Sequence, residues 1–184
     1  MPVPHIVVCG SSGSGKTTLL ESLIVEFRRL GLSVGVLKHT SQPLHTDEGK
    51  DTWRFRRAGA VRSGISSGKE LSMTVAWNEA PGIDELLENY AGVDLVLIEG
   101  YKCERRPKIE VTAAAVPSGL ECAGDPYLLA VVGKTPVDCG VPFFDRDDYR
   151  EIARFVAREI LGRDLEEDAM SRRIGKGSTT SDDS

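Results

Sequence analysis

The chain has 184 residues, of which 40% are hydrophobic and 28% are charged, enough apolar material for the core of one ordinary domain. Its formal net charge of −5 argues against general attraction to nucleic acid or to an anionic membrane surface, so neither is expected as a partner. No run of about 18 apolar residues and no leader-like segment appears, and a cytoplasmic location is therefore expected. The cysteines, Cys9, Cys103, Cys122 and Cys139, are widely spaced, and we expect them to be reduced packing residues.

The first feature along the chain is a glycine-rich segment between a strand-like run and an amphipathic helix. Residues 10–17 read GSSGSGKT and match the phosphate-binding pattern G-x-x-x-x-G-K-[ST]. An apolar run at 6–9 precedes them, and apolar residues recur at three- and four-residue intervals from 19 to 27. Glycines let the backbone fold round a polyphosphate, while N–H groups and the positive end of the helix face the anion. The segment therefore predicts a nucleoside triphosphate site rather than a turn that merely joins two elements.

Each residue of this loop has a predicted role. Lys16 is expected to reach the β- and γ-phosphates, and the hydroxyl of Thr17 is expected to ligate Mg²⁺. The other predicted nucleotide contacts of the loop are Gly10, Ser12, Gly13, Ser14, Gly15 and Thr18.

Strand and helix signals alternate along the rest of the chain, the pattern of a parallel sheet wrapped by helices. The predicted strands cover 5–10, 33–38, 95–98, 108–111 and 127–132, and the predicted helices cover 15–30, 51–58, 83–89 and 147–161. Residues 61–66 and 70–77 predict an antiparallel hairpin added to this sheet. The fold class is therefore α/β, a three-layer phosphate-loop NTPase fold with a mainly parallel sheet. We assign residues 1–162 to this domain and the polar residues 163–184 to a disordered tail.

Polar residues at the carboxyl ends of the strands are candidates for chemistry, because ligands bind outside that edge of an α/β sheet. Glu99 and Gly100 follow the predicted strand 95–98, whereas Asp94 precedes it, roughly 16 Å away from Glu99. Glu99 is therefore the predicted catalytic residue and metal contact, which either holds a metal-bound water or orients an attacking water. Gly100 is predicted to lie beside the nucleotide.

The second predicted strand ends in Lys38 and continues into a long polar loop on the same edge of the sheet. Lys38 is predicted to bind phosphate, and Asp47 or Asp51 is predicted to contact Mg²⁺ directly or through water. A zinc site formed by His39, His45 and Asp47 is disfavoured, because the spacing does not fix three ligands on one element.

Two basic clusters follow segments that should end near the phosphate loop. They consist of Arg54, Arg56, Arg57 and Arg62, and of Lys102, Arg105, Arg106 and Lys108. A solvated surface and an anionic ligand or acidic partner explain such clusters equally well.

Six longer segments carry a family resemblance. They are GSSGSGKTTL at 10–19, VGVLKH at 34–39, DEGKDTWRFRRAGA at 47–60, DLVLIEGYK at 94–102, PKIEV at 107–111 and PFFDRDDYREIARFV at 142–156. Together they resemble the family of molybdopterin-guanine dinucleotide biosynthesis adaptor protein B, usually called MobB, over most of residues 5–161. The typical histidine-rich run after the lysine–histidine pair is replaced here by residues 40–44, and a serine–aspartate pair after the late strand by Gly133-Lys134.

The resemblance implies a GTP-binding adaptor that uses Mg²⁺, hydrolyses GTP weakly at most and forms a homodimer. Its implied partner is the guanylyltransferase that attaches GMP to molybdopterin, with molybdopterin or its insertion machinery as a further partner. By the same resemblance the nucleotide is bound by Gly13, Gly15, Lys16 and Thr17. Glu99 is then the residue of the acidic motif, and Asp47 and Asp51 line the same cleft.

Two other functions remain as alternatives. One is a small-molecule kinase in which the cluster from Lys102 to Lys108 clamps the transferred phosphoryl group, and the other is a nickel-insertion GTPase, a metallochaperone-type protein. A kinase needs a base and an acceptor pocket in line with the γ-phosphate, and no such group of residues is legible. The second alternative would normally carry a Cys/His metal motif, which is absent from the sequence.

Overall fold

The computed structural model describes residues 3–44, 47–113 and 119–164. His45 and all but the first two residues of the predicted tail lie outside these ranges, as do residues 114–118. The chain divides into two compact units, the first formed by residues 1–39 and 90–184 and the second by residues 40–89.

The structure contains the elements that the sequence predicts and a few short ones besides. The strands are β1 (His5–Cys9), β2 (Val34–Lys38), β3 (Arg62–Ser67), β4 (Glu70–Val75), β5 (Leu95–Glu99), β6 (Lys108–Val111), β7 (Leu128–Gly133) and β8 (Phe143–Asp145). The α-helices are α1 (Lys16–Arg29), α2 (Asp51–Arg57), α3 (Ile83–Leu87) and α4 (Tyr149–Val156), with a 3₁₀ turn at Glu88–Tyr90 and a π-helical turn at Ala157–Leu161. Strand β8 is the one strand that the sequence pattern missed among the described residues, because its three residues are too few to show a period.

A six-stranded sheet in the order β2-β5-β1-β6-β7-β8 forms the first unit, and every neighbouring pair in it is parallel. Parallel strands that are covered on both faces read as continuous apolar runs. Leu95-Val96-Leu97-Ile98 of β5 is such a run, and all four residues are fully buried. The predicted mainly parallel α/β fold is confirmed.

The main core lies on the face of the sheet that packs against α1 and α4. Ile6 and Val8 of β1 meet Leu23 and Phe27 of α1 there, and Ile152 of α4 joins the same cluster. Because successive strand residues point to opposite faces, Val7 and Cys9 lie on the other face. This shared core fixes β1 on one side of the loop that joins them and α1 on the other.

The second unit contains α2, the β3–β4 hairpin and α3. Strands β3 and β4 are antiparallel in register from Arg62↔Val75 to Ser67↔Glu70, which confirms the predicted hairpin. They form a two-stranded sheet of their own. In neither unit does the described chain include a helix whose length and apolar character would suffice to cross a bilayer.

Candidate functional site

Residues 10–15 connect β1 to α1 and form a loop at the carboxyl edge of the parallel sheet. Gly10 has φ of 129°, and a Cβ built there would lie 2.2 Å from the carbonyl oxygen of Val111. Gly15 has φ of 95° at the N-cap of α1, with Arg146 only 3.0 Å from the position of its Cβ. Only glycine adopts these conformations in that space, so the backbone geometry explains the predicted pattern.

The top of the loop is open to solvent and carries no negative charge. Ser11, Ser12 and Gly13 are exposed, whereas Ser14 is buried below them. The first turn of α1, which includes Thr17 and the exposed Thr18, contains no acidic residue. No carboxylate in the first turn of α1 therefore offsets the positive end of the helix dipole, which favours a bound anion there.

Lys16 lies across this loop. Its Nζ donates hydrogen bonds to the carbonyl oxygens of Gly10, at 2.8 Å, and of Ser11, at 2.7 Å. Both acceptors belong to the loop itself, so the ammonium group is already held beside the exposed amides. A phosphate that binds the loop competes for this ammonium with two neutral carbonyls, which are weaker partners than an anion.

Thr17, Lys38 and Glu99 come together at the ends of α1, β2 and β5. The Thr17 hydroxyl donates to Oε2 of Glu99 at 3.3 Å, and Lys38 Nζ lies 3.0 Å from Oε1 of the same carboxylate. The register of the sheet sets this contact, because Glu99 stands opposite both Lys38 on β2 and Val8 on β1. Hydroxyl and carboxylate oxygens side by side are ligands that Mg²⁺ prefers.

Behind Glu99 the chain makes a constrained turn. The Gly100 N–H donates to the carbonyl of Val8 at 3.2 Å, and a Cβ on Gly100, whose φ is 101°, would lie 3.0 Å from Cβ of His39. Tyr101 has φ of 52°, a left-handed conformation that is costly for an aromatic residue, and its ring lies 4.4 Å from the ring of His39. Burial raises the pKa of Tyr101. This turn holds Glu99 against β1, and the sequence pattern gave no sign of the role of Tyr101.

Arg146 is a second contributor that the sequence pattern missed. It follows β8, and its Nη2 donates to the carbonyl oxygens of Ser14, at 2.7 Å, and Thr112, at 2.5 Å. Its guanidinium also lies against Gly15. The side chain therefore joins the phosphate loop to the end of β6 and adds positive charge beside the loop. A signal existed in the polar run Asp145-Arg146-Asp147 directly after two phenylalanines, which marks a strand end.

Asp47 and Asp51 lie in the second unit. Asp47 makes a two-pronged ion pair with Arg56, with distances of 2.5 Å and 2.7 Å, and accepts a 2.6 Å hydrogen bond from Thr52. These bonds, above all the one from Arg56, hold the pKa of Asp47 well below its usual range. Asp51 is exposed and pairs with Arg54 at 3.3 Å. A role of either carboxylate in metal binding stays a prediction.

Each basic cluster contains a residue that is engaged in an ion pair within the protein. Lys108 is fully buried, and its Nζ pairs with Asp125 at 2.5 Å and donates to the carbonyls of Lys102 and Glu104. Arg56 is committed to Asp47 in the same way. Both side chains are therefore engaged within the protein. Lys108 in particular is not available to clamp a transferred phosphoryl group, the role that the kinase alternative gives to its cluster.

A parallel sheet, a glycine-rich loop after β1, an uncompensated helix end and an acidic strand end together define a phosphate-loop protein of the P-loop NTPase class. The sequence profile of one family of this class matches residues 5–134 and is described as "Molybdopterin guanine dinucleotide synthesis protein B", MobB. The chain belongs to this family, as the sequence motifs indicated.

Similar proteins extend over most of the chain. The "Molybdopterin-guanine dinucleotide biosynthesis adapter protein" of Haemophilus influenzae is 33% identical over 157 residues, which cover 84% of this chain and 88% of that protein. The protein of the same name from Escherichia coli is 32% identical over 163 residues, covering 84% and 91%. The crystal structure of Bacillus subtilis MobB is 28% identical, with a TM-score of 0.71 and coverage of 87% of this chain and 99% of that one.

Proposed function

We propose that this chain is a GTP-binding adaptor in the biosynthesis of molybdopterin guanine dinucleotide and that it assists the guanylyltransferase that attaches GMP to molybdopterin. In this proposal the protein acts in the cytoplasm as a homodimer. As the family resemblance implies, the adaptor itself hydrolyses GTP weakly at most, since one phosphate loop and one acid suffice to hold and slowly cleave a triphosphate.

The observation that carries the nucleotide part is the loop at 10–15. Gly10, with its positive φ, sits against Val111, the loop is exposed at residues 11–13, and the first turn of α1 carries no acidic residue. This geometry fits a polyphosphate, since the backbone donors and the helix end both favour negative charge. Ser12, Gly13 and Thr18 would contribute at the exposed side of the loop.

Mg²⁺ fits the oxygen donors at the ends of α1 and β5. Thr17 would hold the ion directly, and Glu99 would hold it through a water or would orient the attacking water. Bound Mg²⁺ would neutralise the negative charge of the phosphate oxygens. Lys16 and Lys38 would bind the phosphates from two sides, and Gly100 keeps the backbone behind Glu99 close to β1. Asp47 is proposed as a further, indirect metal contact.

The test measures affinities for GTP and ATP side by side by calorimetry, with and without Mg²⁺, and then the capture of a purified molybdopterin guanylyltransferase. We expect Mg²⁺-dependent GTP binding and capture of the transferase by the parent chain. The Lys16→Ala variant provides the matched control for nucleotide binding. ATP selectivity with turnover of a small acceptor would instead support a kinase, and failure to capture the transferase would remove the adaptor role.

A further inference from the structure

The face of the sheet opposite α1 and α4 carries a buried polar cluster directly below the phosphate loop. Cys9 ends β1, and Glu110 stands beside it on β6. Cys122 approaches from the turn that precedes β7. The three residues are 1%, 3% and 5% exposed in the order Cys9, Glu110 and Cys122. None of them has a part in the nucleotide chemistry proposed above.

The two thiols are already in contact. Sγ of Cys9 and Sγ of Cys122 lie 3.2 Å apart, closer than an ordinary van der Waals contact of two sulfur atoms, although the residues are separated by 113 positions. Both cysteines are free thiols. A disulfide bond requires a sulfur separation of about 2.05 Å, so the sulfurs need to approach by only about 1.2 Å.

The backbone on each side of the pair is fixed by independent contacts. Cys9 stands in a strand with neighbours on both sides, β5 and β6. The carboxylate of Glu110 accepts the N–H of Glu121 at 2.7 Å and the N–H of Cys122 at 2.8 Å, which anchors the turn to β6. The thiols are therefore held face to face by the strand pairing of β1 and by the carboxylate of Glu110.

We propose that Cys9 and Cys122 form a modification site, a thiol pair that a peroxide oxidises to a disulfide linking the strand of the phosphate loop to the 119–125 turn. In the first step the sulfur of Cys122, the more exposed of the two, attacks one peroxide oxygen, forms a sulfenic acid and releases one water. In the second step the sulfur of Cys9 attacks that of Cys122 and displaces the hydroxyl as a second water. Two thiols lose two electrons and two protons, and one hydrogen peroxide becomes two waters.

The environment makes this oxidation slow at neutral pH. Burial raises the pKa of Cys9 and also that of Cys122. The hydrogen bond between the two thiols raises the pKa of Cys9 further but lowers that of Cys122. The carboxylate of Glu110 raises both pKa values, Asp125 raises that of Cys122, and the ammonium of Lys108 lowers both. Because the thiolate is the reactive form, the rate of cross-linking rises as the pH is raised above neutrality.

The new bond would stabilise the first unit. It closes a loop of 113 residues and so restricts the unfolded chain far more than the folded one. A loop of that length predicts an increase of the thermal unfolding midpoint on the order of 10 °C, provided that the native geometry accepts the bond without strain.

The test uses a Cys103→Ser/Cys139→Ser variant of the full chain, in which only the pair remains. After treatment with hydrogen peroxide at pH 8.5 we expect the denatured protein to show two fewer reactive thiols and a mass lower by about 2 Da, as loss of two hydrogens requires. We also expect a higher unfolding midpoint that dithiothreitol reverses. The same variant with Cys122→Ala is the matched control, which should gain no stability.

Peptide mapping of the oxidised parent chain gives a second measurement that needs no variant and should find the Cys9–Cys122 link. Three results would overturn the proposal. They are full retention of both thiols after complete oxidation of an added model thiol, oxidation of either cysteine to sulfinic acid without a cross-link, and a stoichiometric zinc ion that protects both thiols. The cross-link requires no nucleotide, so these results are independent of the GTP-binding test.

Discussion

Replacement of Arg146 by methionine tests whether this side chain holds the phosphate loop in place. The guanidinium donates to the carbonyls of Ser14 and Thr112 at 2.7 Å and 2.5 Å, and it joins segments that are far apart in sequence. Methionine keeps most of the apolar stem but removes the charge and both hydrogen bonds. The Arg146→Met variant should therefore lose loop order without leaving a large cavity.

The magnitude follows from the two bonds that are lost. A hydrogen bond from a charged group contributes about 1.5–3 kcal/mol, and Arg146 is partly buried, so we take the lower value for each. The free energy of unfolding should then fall by about 3 kcal/mol. If the free energy of one such bond, about 1.5 kcal/mol, is also lost from triphosphate binding because the loop is less ordered, the affinity falls about tenfold.

Urea unfolding measures the first quantity, and calorimetric titration with GTP and Mg²⁺ measures the second. Arg150→Met is the matched control, since Arg150 lies nearby on α4 with a side chain that is 75% exposed, and its loss should cost no more than about 0.5 kcal/mol. Arg146→Lys should be intermediate, because one ammonium group does not reproduce the planar donor set. An Arg146→Met variant as stable and as tight in binding as the Arg150→Met control would refute the reasoning.

Four further changes have outcomes that the structure determines. Lys16→Ala should weaken triphosphate binding about 100-fold in calorimetry with an unchanged circular dichroism spectrum, and an unaltered affinity would contradict its assigned contact. Glu99→Gln should slow phosphate release more than it weakens GTP binding, and equal hydrolysis rates for variant and parent would remove its role in positioning water. Gly10→Ala places a Cβ 2.2 Å from a carbonyl oxygen, so both GTP affinity and the unfolding midpoint should fall, and a variant that binds normally would show that the loop is not confined there. The hydrogen bond from Lys108 lowers the pKa of Asp125, so this pair stabilises the fold above the unfolded-state pKa, near 3.8, and loses that contribution as the pH falls through the folded-state pKa. Asp125→Asn should therefore lower the free energy of unfolding by about 2 kcal/mol at pH 7, less than for a fully buried pair because Asp125 is 26% exposed. The stability of the variant should also fall less steeply than that of the parent as the pH is lowered. Urea unfolding from about pH 7 to about pH 3 measures this, and an equal loss of stability in variant and parent over that range would contradict it.

Features that depend on neighbours in sequence were predictable. The phosphate loop, helix α1 and the hairpin are local patterns, and their periods and turn residues suffice to predict them. The position of Glu99 followed from one topological rule, that ligands meet the carboxyl ends of parallel strands. Its contact with Thr17 at 3.3 Å agrees with that rule.

Features that depend on the order of the strands were decided only by the tertiary structure. The spatial order β5-β1-β6-β7-β8 brings Arg146 to a loop 132 residues earlier and places Cys122 against Cys9. The same order buries Lys108, for which the sequence pattern had left open a solvated surface or a contact with an anionic ligand or acidic partner. Apolar periodicity gives the faces of an element but not its neighbours, because many pairings of similar apolar strands bury comparable area. The sequence alone therefore determined the glycine pattern of the loop and the family, and the packing of distant segments decided which side chains support that loop.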